Sequence, residues 1–257
     1  MIRDVVLSLY AFIYSFAIII KLRLFKYLGI LLLLLFLFSS PVILFDFFVR
    51  FITDLIPYAA AQEYALTSVS FSAGISGFFL LLVLSPVFSI LSEETGKRLT
   101  GKEYHFSISQ LVKDVLRGIK ITLRNLFYQY IVIVIISILL YFFSDILIVQ
   151  ITGNILIFLI SSYFLGFSIL DYAMENLRMT YKQSVDFVRA HPGLAIGLGS
   201  IYYFVINWND WKIFPTSSNR LSLYWPIFSE SLVAFFGVIA ASYLMYQYQK
   251  EKKSLLS

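Results

Sequence analysis

Lys113, Arg117, Lys120 and Arg124 follow one another at intervals of four, three and four residues. On a helix that spacing gathers four cations along one side and leaves Ile108, Leu111, Val115, Ile119 and Leu123 for other faces. Two chemistries suit such a stripe. It rests on the phosphates of anionic lipid, or some of its cations face the path of a soluble anion. Just upstream, Glu93 and Glu94 stand four positions before Lys97 and Arg98, the favourable order for helical ion pairs, with Thr100 and the helix terminator Gly101 behind them. Together with Lys102, this stretch from Ser85 to Phe127 holds seven of the twenty Lys and Arg residues.

Other chemistries lack their residues. The chain has no cysteine, which excludes disulfides, thiolate metal sites and thiol nucleophiles. Its two histidines, His105 and His191, form no paired His-Glu metal motif, and nothing is arranged for acyl transfer. No nucleotide-binding loop is visible. The chain therefore reads as a non-enzyme without a cofactor, and direct ATP coupling is disfavoured.

The elements that position these cations must be membrane helices. A composition of 60% apolar and only 14% charged residues is wrong for a soluble domain of 257 residues. The formal charge of +5 is no argument for nucleic acid, because the basic residues sit beside apolar runs, where they meet lipid headgroups and set orientation.

Residues 1–26 read as an interfacial amphipathic helix. Arg3 precedes the uncharged run Val5 to Ile20, no cleavage site follows, and Asp4, Ser8, Ala11 and Ser15 form one stripe. A short first span is the alternative, although the run falls just below the roughly 17 residues a crossing needs. Residues 27–92 read as two long spans, Tyr27 to Phe45 with Pro41 kinking it, and Tyr64 to Ser92 with Ser70, Ala73, Gly74 and Gly77 as a small face. Residues 93–125 form a cytoplasmic elbow and amphipathic helix.

Residues 126–170 read as a first hairpin, since Leu126 to Ser144 and Ile146 to Leu170 are separated by little more than Asp145. A cytoplasmic turn occupies 171–192, carrying Asp171, Glu175, Arg178, Lys182, Arg189 and His191. Residues 193–249 form a second hairpin whose connection holds Trp208, Trp211, Pro215, Trp225 and Pro226, as in a headgroup belt. Residues 250–257 are a basic tail. The expected fold is thus an all-α integral membrane protein in which the hairpins span fully or partly.

Charge asymmetry gives the orientation. Seventeen Lys and Arg lie before Tyr27, in the elbow through Arg124, between Arg178 and Arg189, or in the tail; Arg50, Lys212 and Arg220 lie elsewhere. Both termini and the elbow are then cytoplasmic.

Ser85-Pro86, Leu91-Ser92-Glu93 and Arg98-Leu99-Thr100-Gly101, continued by Lys113-Asp114-Val115 and Arg117, form an ordered set. A second set is Asp171-Tyr172, Arg178, Arg189-Ala190-His191 and Gly197-Leu198-Gly199. From about residue 20 onward, the chain resembles the CysZ sulfate permease family, which shares a superfamily with the eukaryotic etoposide-induced membrane proteins. The resemblance implies a bacterial inner-membrane permease or channel admitting sulfate or a similar oxyanion for sulfur assimilation. It also implies two long spans, two helical hairpins and a homo-oligomer, with anionic lipids as further partners. In that family a Pro-Gly and a basic pair precede the first span and are linked to sulfate. Here the stretch is Leu22-Arg23-Leu24-Phe25-Lys26, which keeps Lys26 of the pair, lacks the proline and glycine, and offers Arg23 as a substitute.

Arg23 and Lys26 are therefore the anion-binding candidates. Glu93, Arg98, Thr100, Gly101, Lys113, Arg117, Asp171, Arg178 and Arg189 are the candidates for a cytoplasmic vestibule. Glu93 and Asp171 either tie the elbow and the cytoplasmic turn to cations or gate the entrance, with Arg98, Arg117 and Arg178 as partners. An inner path without Lys or Arg would use backbone and polar groups such as Thr152 and Asn154, whose other role is bonding between helices. The rival function is a structural, trafficking or assembly role in the same superfamily without transport.

Overall fold

The computed structural model describes residues 1–33, 80–101, 108–143, 145–210 and 221–254. Every regular element among them is a helix: α1 (Ile2–Lys21), α2 (Ser85–Thr100), α3 (Ile108–Phe142), α4 (Leu147–Asn176), α5 (Tyr181–Ala190), α6 (Pro192–Asp210) and α7 (Leu221–Ser254). Residues 25–33 and 80–83 are helical as well. Most of the two long spans, with Pro41 and the Ser70 to Gly77 face, lies outside the described residues, as do Lys102, His105, Trp211 and Pro215. The chain is an all-α membrane protein. Ile2–Lys21, Leu116–Phe142, Leu147–Asn176 and Phe228–Lys250 are each long and apolar enough to cross a bilayer, and Pro192–Asn207 is a shorter apolar helix.

Helix ends follow local chemistry. Pro86 sits in the first turn of α2, and the chain bends at Leu84, where its lack of an N–H does no harm. Gly101 closes the same helix in the left-handed conformation, φ +70°, its N–H donating to the Lys97 carbonyl at 2.8 Å. A capping box opens α5: Gln183 N–H donates to Thr180 Oγ1 at 3.3 Å, and Thr180 N–H to Gln183 Oε1 at 2.7 Å. The basic stretch from Lys113 and the apolar run from Leu126 are one continuous helix, α3, rather than two segments. Likewise α7 begins at Leu221, so positions 225 and 226 fall within a helix instead of a connection.

In lipid, apolar contact between helices carries little hydrophobic driving force, so close packing must supply the attraction. α4 and α6 achieve it at two small-residue steps, Ser162 with Gly166 and Ala195 with Gly199. A methyl group on Gly166 would lie 1.8 Å from the Ala195 carbonyl oxygen, and one on Gly199 would lie 1.8 Å from that of Ser162. Around this crossing a single core forms, with Tyr202, Phe167, Phe88 and Phe235 fully buried. The distal part of the α3–α4 hairpin carries its own small cluster of Ile133, Leu140 and Ile157.

α1 packs against α6 and α7, with Phe16 stacked on Phe236 and Tyr14 against Tyr243. Its start packs on the first turns of α6, where methyl groups on Gly193 and Gly197 would sit 2.3 Å from the Met1 carbonyl and 2.6 Å from Ser8 Cβ. Its end receives the guanidinium of Arg98, in the last turn of α2. Both contacts lie at the charged end of their partner helices. The Asp4, Ser8, Ala11, Ser15 stripe faces protein rather than water: Ser8, Ala11 and Ser15 are buried, and Ser8 Oγ donates to the Leu194 carbonyl at 3.0 Å. Ile2, Val6, Tyr10, Ile13 and Ile20 point outward instead.

Candidate functional site at the charged end of the bundle

Two of the helices that end at this face, α1 and α4, stop in the same way. Beyond Lys21, Arg23 takes φ +52°; beyond Asn176, Arg178 takes φ +54°. In the first turn Arg23 N–H donates to Ile20 O at 3.3 Å and Leu24 N–H to Ile19 O at 3.0 Å. In the second, Arg178 N–H donates to Glu175 O at 2.8 Å and Met179 N–H to Met174 O at 3.2 Å. This paired pattern is the Schellman ending, which ordinarily places glycine at the left-handed position. Here both positions are arginine, and both side chains are exposed.

Each turn is held by an arginine from another helix. Arg98 donates through Nη1 to the Leu22 carbonyl and through Nε to Glu94 Oε1 at 2.7 Å. Arg117 donates through Nη1 to the Met179 carbonyl, and through Nη2 to Asp171 Oδ1 at 2.9 Å and Ser184 Oγ at 2.5 Å. The exposed Glu94–Arg98 pair itself contributes only about 0.3 kcal/mol. The Arg117–Asp171 pair differs, because Asp171 is 2% exposed and would be an unneutralised buried charge without its partner.

The expected cation stripe of α3 divides. Lys113 and Lys120 are exposed, whereas Arg117 and Arg124 turn inward. Arg124 lies 4.7 Å over the Phe167 ring and 5.3 Å from that of Tyr181, and its Nη2 donates to Asn125 Oδ1 at 2.7 Å. Lys120 stands over the same Tyr181 ring at 5.2 Å. Lys26 is exposed with its ammonium 4.7 Å over Tyr27. Thr100 Oγ1 donates to the Gly96 carbonyl at 2.8 Å. Glu93 is half-buried on α2, and Arg189 is exposed in the last turn of α5. The fold therefore brings Arg98 to the Arg23 turn and joins Arg117 and Asp171 at the Arg178 turn. Of the partners expected for Asp171, Arg117 is the one that bonds it.

Buried polar contacts continue from this end into the bundle. Ser89 Oγ donates to Glu175 Oε1 at 2.5 Å. Ser92 Oγ meets Ser242 Oγ at 2.9 Å and accepts from Asn176 Nδ2 at 2.6 Å. Between α3 and α4, Asn125 Nδ2 donates to Ser168 Oγ at 3.0 Å and Gln129 Nε2 to Ser161 Oγ at 3.3 Å. Sequence reasoning named Ser85, Ser92 and Glu175 without this role and missed the other groups, yet a signal was present: Ser85, Ser89 and Ser92 recur at four and three, and Ser161, Ser168 and Glu175 at seven. Thr152 and Asn154, the polar groups expected to face an inner path, are instead exposed on the outside of the hairpin, with Thr152 Oγ1 donating to its own helix at Ile148 O, 2.7 Å away.

No individually curated protein matches the chain. The family described as sulfate transporter CysZ/etoposide-induced protein 2.4 matches residues 11–208, a region that contains both arginine turns and both of the arginines that hold them. The chain belongs to that family of membrane proteins.

Proposed function

We propose that the protein is a permease for sulfate or a similar oxyanion, in a bacterial inner membrane with both termini in the cytoplasm, feeding sulfur assimilation. The observation that carries this reading is the turn at residues 22–26. Arg23 and Lys26 are exposed there, at the start of a helix, and Arg98 holds the backbone behind them. A doubly charged anion with a tight hydration shell needs cations and N–H donors that do not enclose it, and such a turn offers both. The missing glycine is less consequential than its absence suggests, since Arg23 itself adopts the left-handed conformation.

The test is uptake of labelled sulfate into liposomes holding the purified protein, against empty liposomes, with sulfite as competitor. We expect uptake that falls at least tenfold in the Arg23→Ala, Lys26→Ala double variant. Uptake unchanged in that variant would move the site elsewhere. No uptake by folded wild-type protein would favour the structural or trafficking role.

A further inference from the structure

We infer that the outer face of α3 binds one anionic phospholipid, with its phosphate on Lys113 and Lys120 and one acyl chain in the groove that begins at Leu123. Of the four cations spaced along this helix, Arg117 is committed to Asp171 and Arg124 lies over Phe167, so both turn away from the surface. Lys113 and Lys120 stay exposed. Beyond Lys120, the exposed side chains of Leu123, Phe127, Ile131 and Val134 follow at intervals of three and four. One face of the helix therefore passes from two cations to bare hydrocarbon.

The groove that these four residues border encloses about 670 Å³, with Leu126 and Ile135 as further lining. From Leu123 to Ile135 it follows the helix for about 18 Å, close to one leaflet of a roughly 30 Å hydrocarbon core. It lies within Leu116–Phe142, which is long and apolar enough to cross a bilayer. Lys120 precedes the groove by one turn, and helical side chains lean toward the start of their helix, which carries the ammonium toward the headgroups. The Tyr181 ring supports that ammonium at 5.2 Å. A ring face brings no counter-charge, and the ammonium keeps N–H donors for an oxyanion. Lys113 makes no ion pair among the described residues. A soluble anion would use the two lysines and leave the groove idle, and a zwitterionic lipid would bring a cation that the lysines repel. An anionic phospholipid uses both halves of the site. The site does not depend on sulfate transport.

The chain has no cysteine, so Ile138→Cys, at an exposed position one turn beyond the groove, accepts a single bimane label. The labelled full-length protein is placed in phosphatidylcholine nanodiscs. Phosphatidylglycerol with brominated chains then replaces an increasing share of the lipid, and quenching of the label is followed against brominated phosphatidylcholine as the reference. We expect phosphatidylglycerol to reach half-quenching at about one tenth of the mole fraction that phosphatidylcholine needs, as two lysines near the membrane surface predict. Lys113→Gln with Lys120→Gln should bring the two curves together, whereas Lys113→Arg with Lys120→Arg should keep them apart. Coincident curves with both lysines present would mean unselective lipid around the helix. A preference that survives the double glutamine variant would mean that these lysines do not hold the headgroup. A label that neither lipid quenches would mean that protein, either a second copy or another part of this chain, covers the groove. Each of these three results overturns the inference.

Discussion

Arg117 Nη2 lies 2.9 Å from Asp171 Oδ1, joining the middle of the first half of α3 to the last turns of α4. The contact uses one oxygen of the carboxylate. Asp171 Oδ2 and Arg117 Nε are buried with no hydrogen-bond partner among the described residues. The pair therefore tolerates loss of either member poorly, since each charge is the main compensation for the other.

Removing one member is expected to be costly. Asp171→Ala or Arg117→Ala should each destabilise the folded protein by about 3–5 kcal/mol, because a buried charge is left behind. The exchange Arg117→Asp with Asp171→Arg should recover part of that loss. Thermal unfolding of the two single variants and the double exchange checks this; strictly additive effects would show that the pair is not coupled.

The crossing of α4 and α6 should reject any side chain. Gly166→Ala and Gly199→Ala each drive a methyl group to 1.8 Å from a backbone carbonyl oxygen, which no rotamer change relieves. We expect a loss of about 3 kcal/mol or more, at the upper end of overpacking, or failure to fold. Gly96→Ala is the internal control: nothing lies within 4 Å of the added methyl in the middle of α2, so that variant should gain about 0.5–1 kcal/mol.

Ser92 connects three helices through its hydroxyl. It donates to the Tyr172 carbonyl at 3.1 Å, meets Ser242 and accepts from Asn176. Ser92→Ala should cost about 1–3 kcal/mol by stranding buried partners. In a double-mutant cycle with Ser242→Ala the losses should be less than additive, as measured by chemical or thermal unfolding.

Left-handed positions should respond in opposite directions. Gly101→Ala places a β-carbon at φ +70° and is expected to cost about 1 kcal/mol, even though the space around it is open. Arg23→Gly should gain about 0.5–1 kcal/mol in stability while lowering sulfate uptake. A gain in melting temperature with unchanged uptake would identify Arg23 as structural.

The class of this protein was legible in its sequence. Long apolar runs, the clustering of Lys and Arg, the Gly101 terminator and the short joint at Asp145 each report a local property, and local properties depend on neighbours in the chain. Tertiary structure decided which face of each helix meets which partner. Lys113, Arg117, Lys120 and Arg124 look like one stripe, yet α4 and α5 draw two of them inward and leave two outside. Nothing in the sequence marks Arg23 and Arg178 as equivalent. The equivalence is in backbone dihedrals and in the carbonyls of Leu22 and Met179, which receive arginines 76 and 62 residues away. A contact between residues so far apart exists only once packing has closed the loops between them, and for that reason the chain alone could name the cations but not their arrangement.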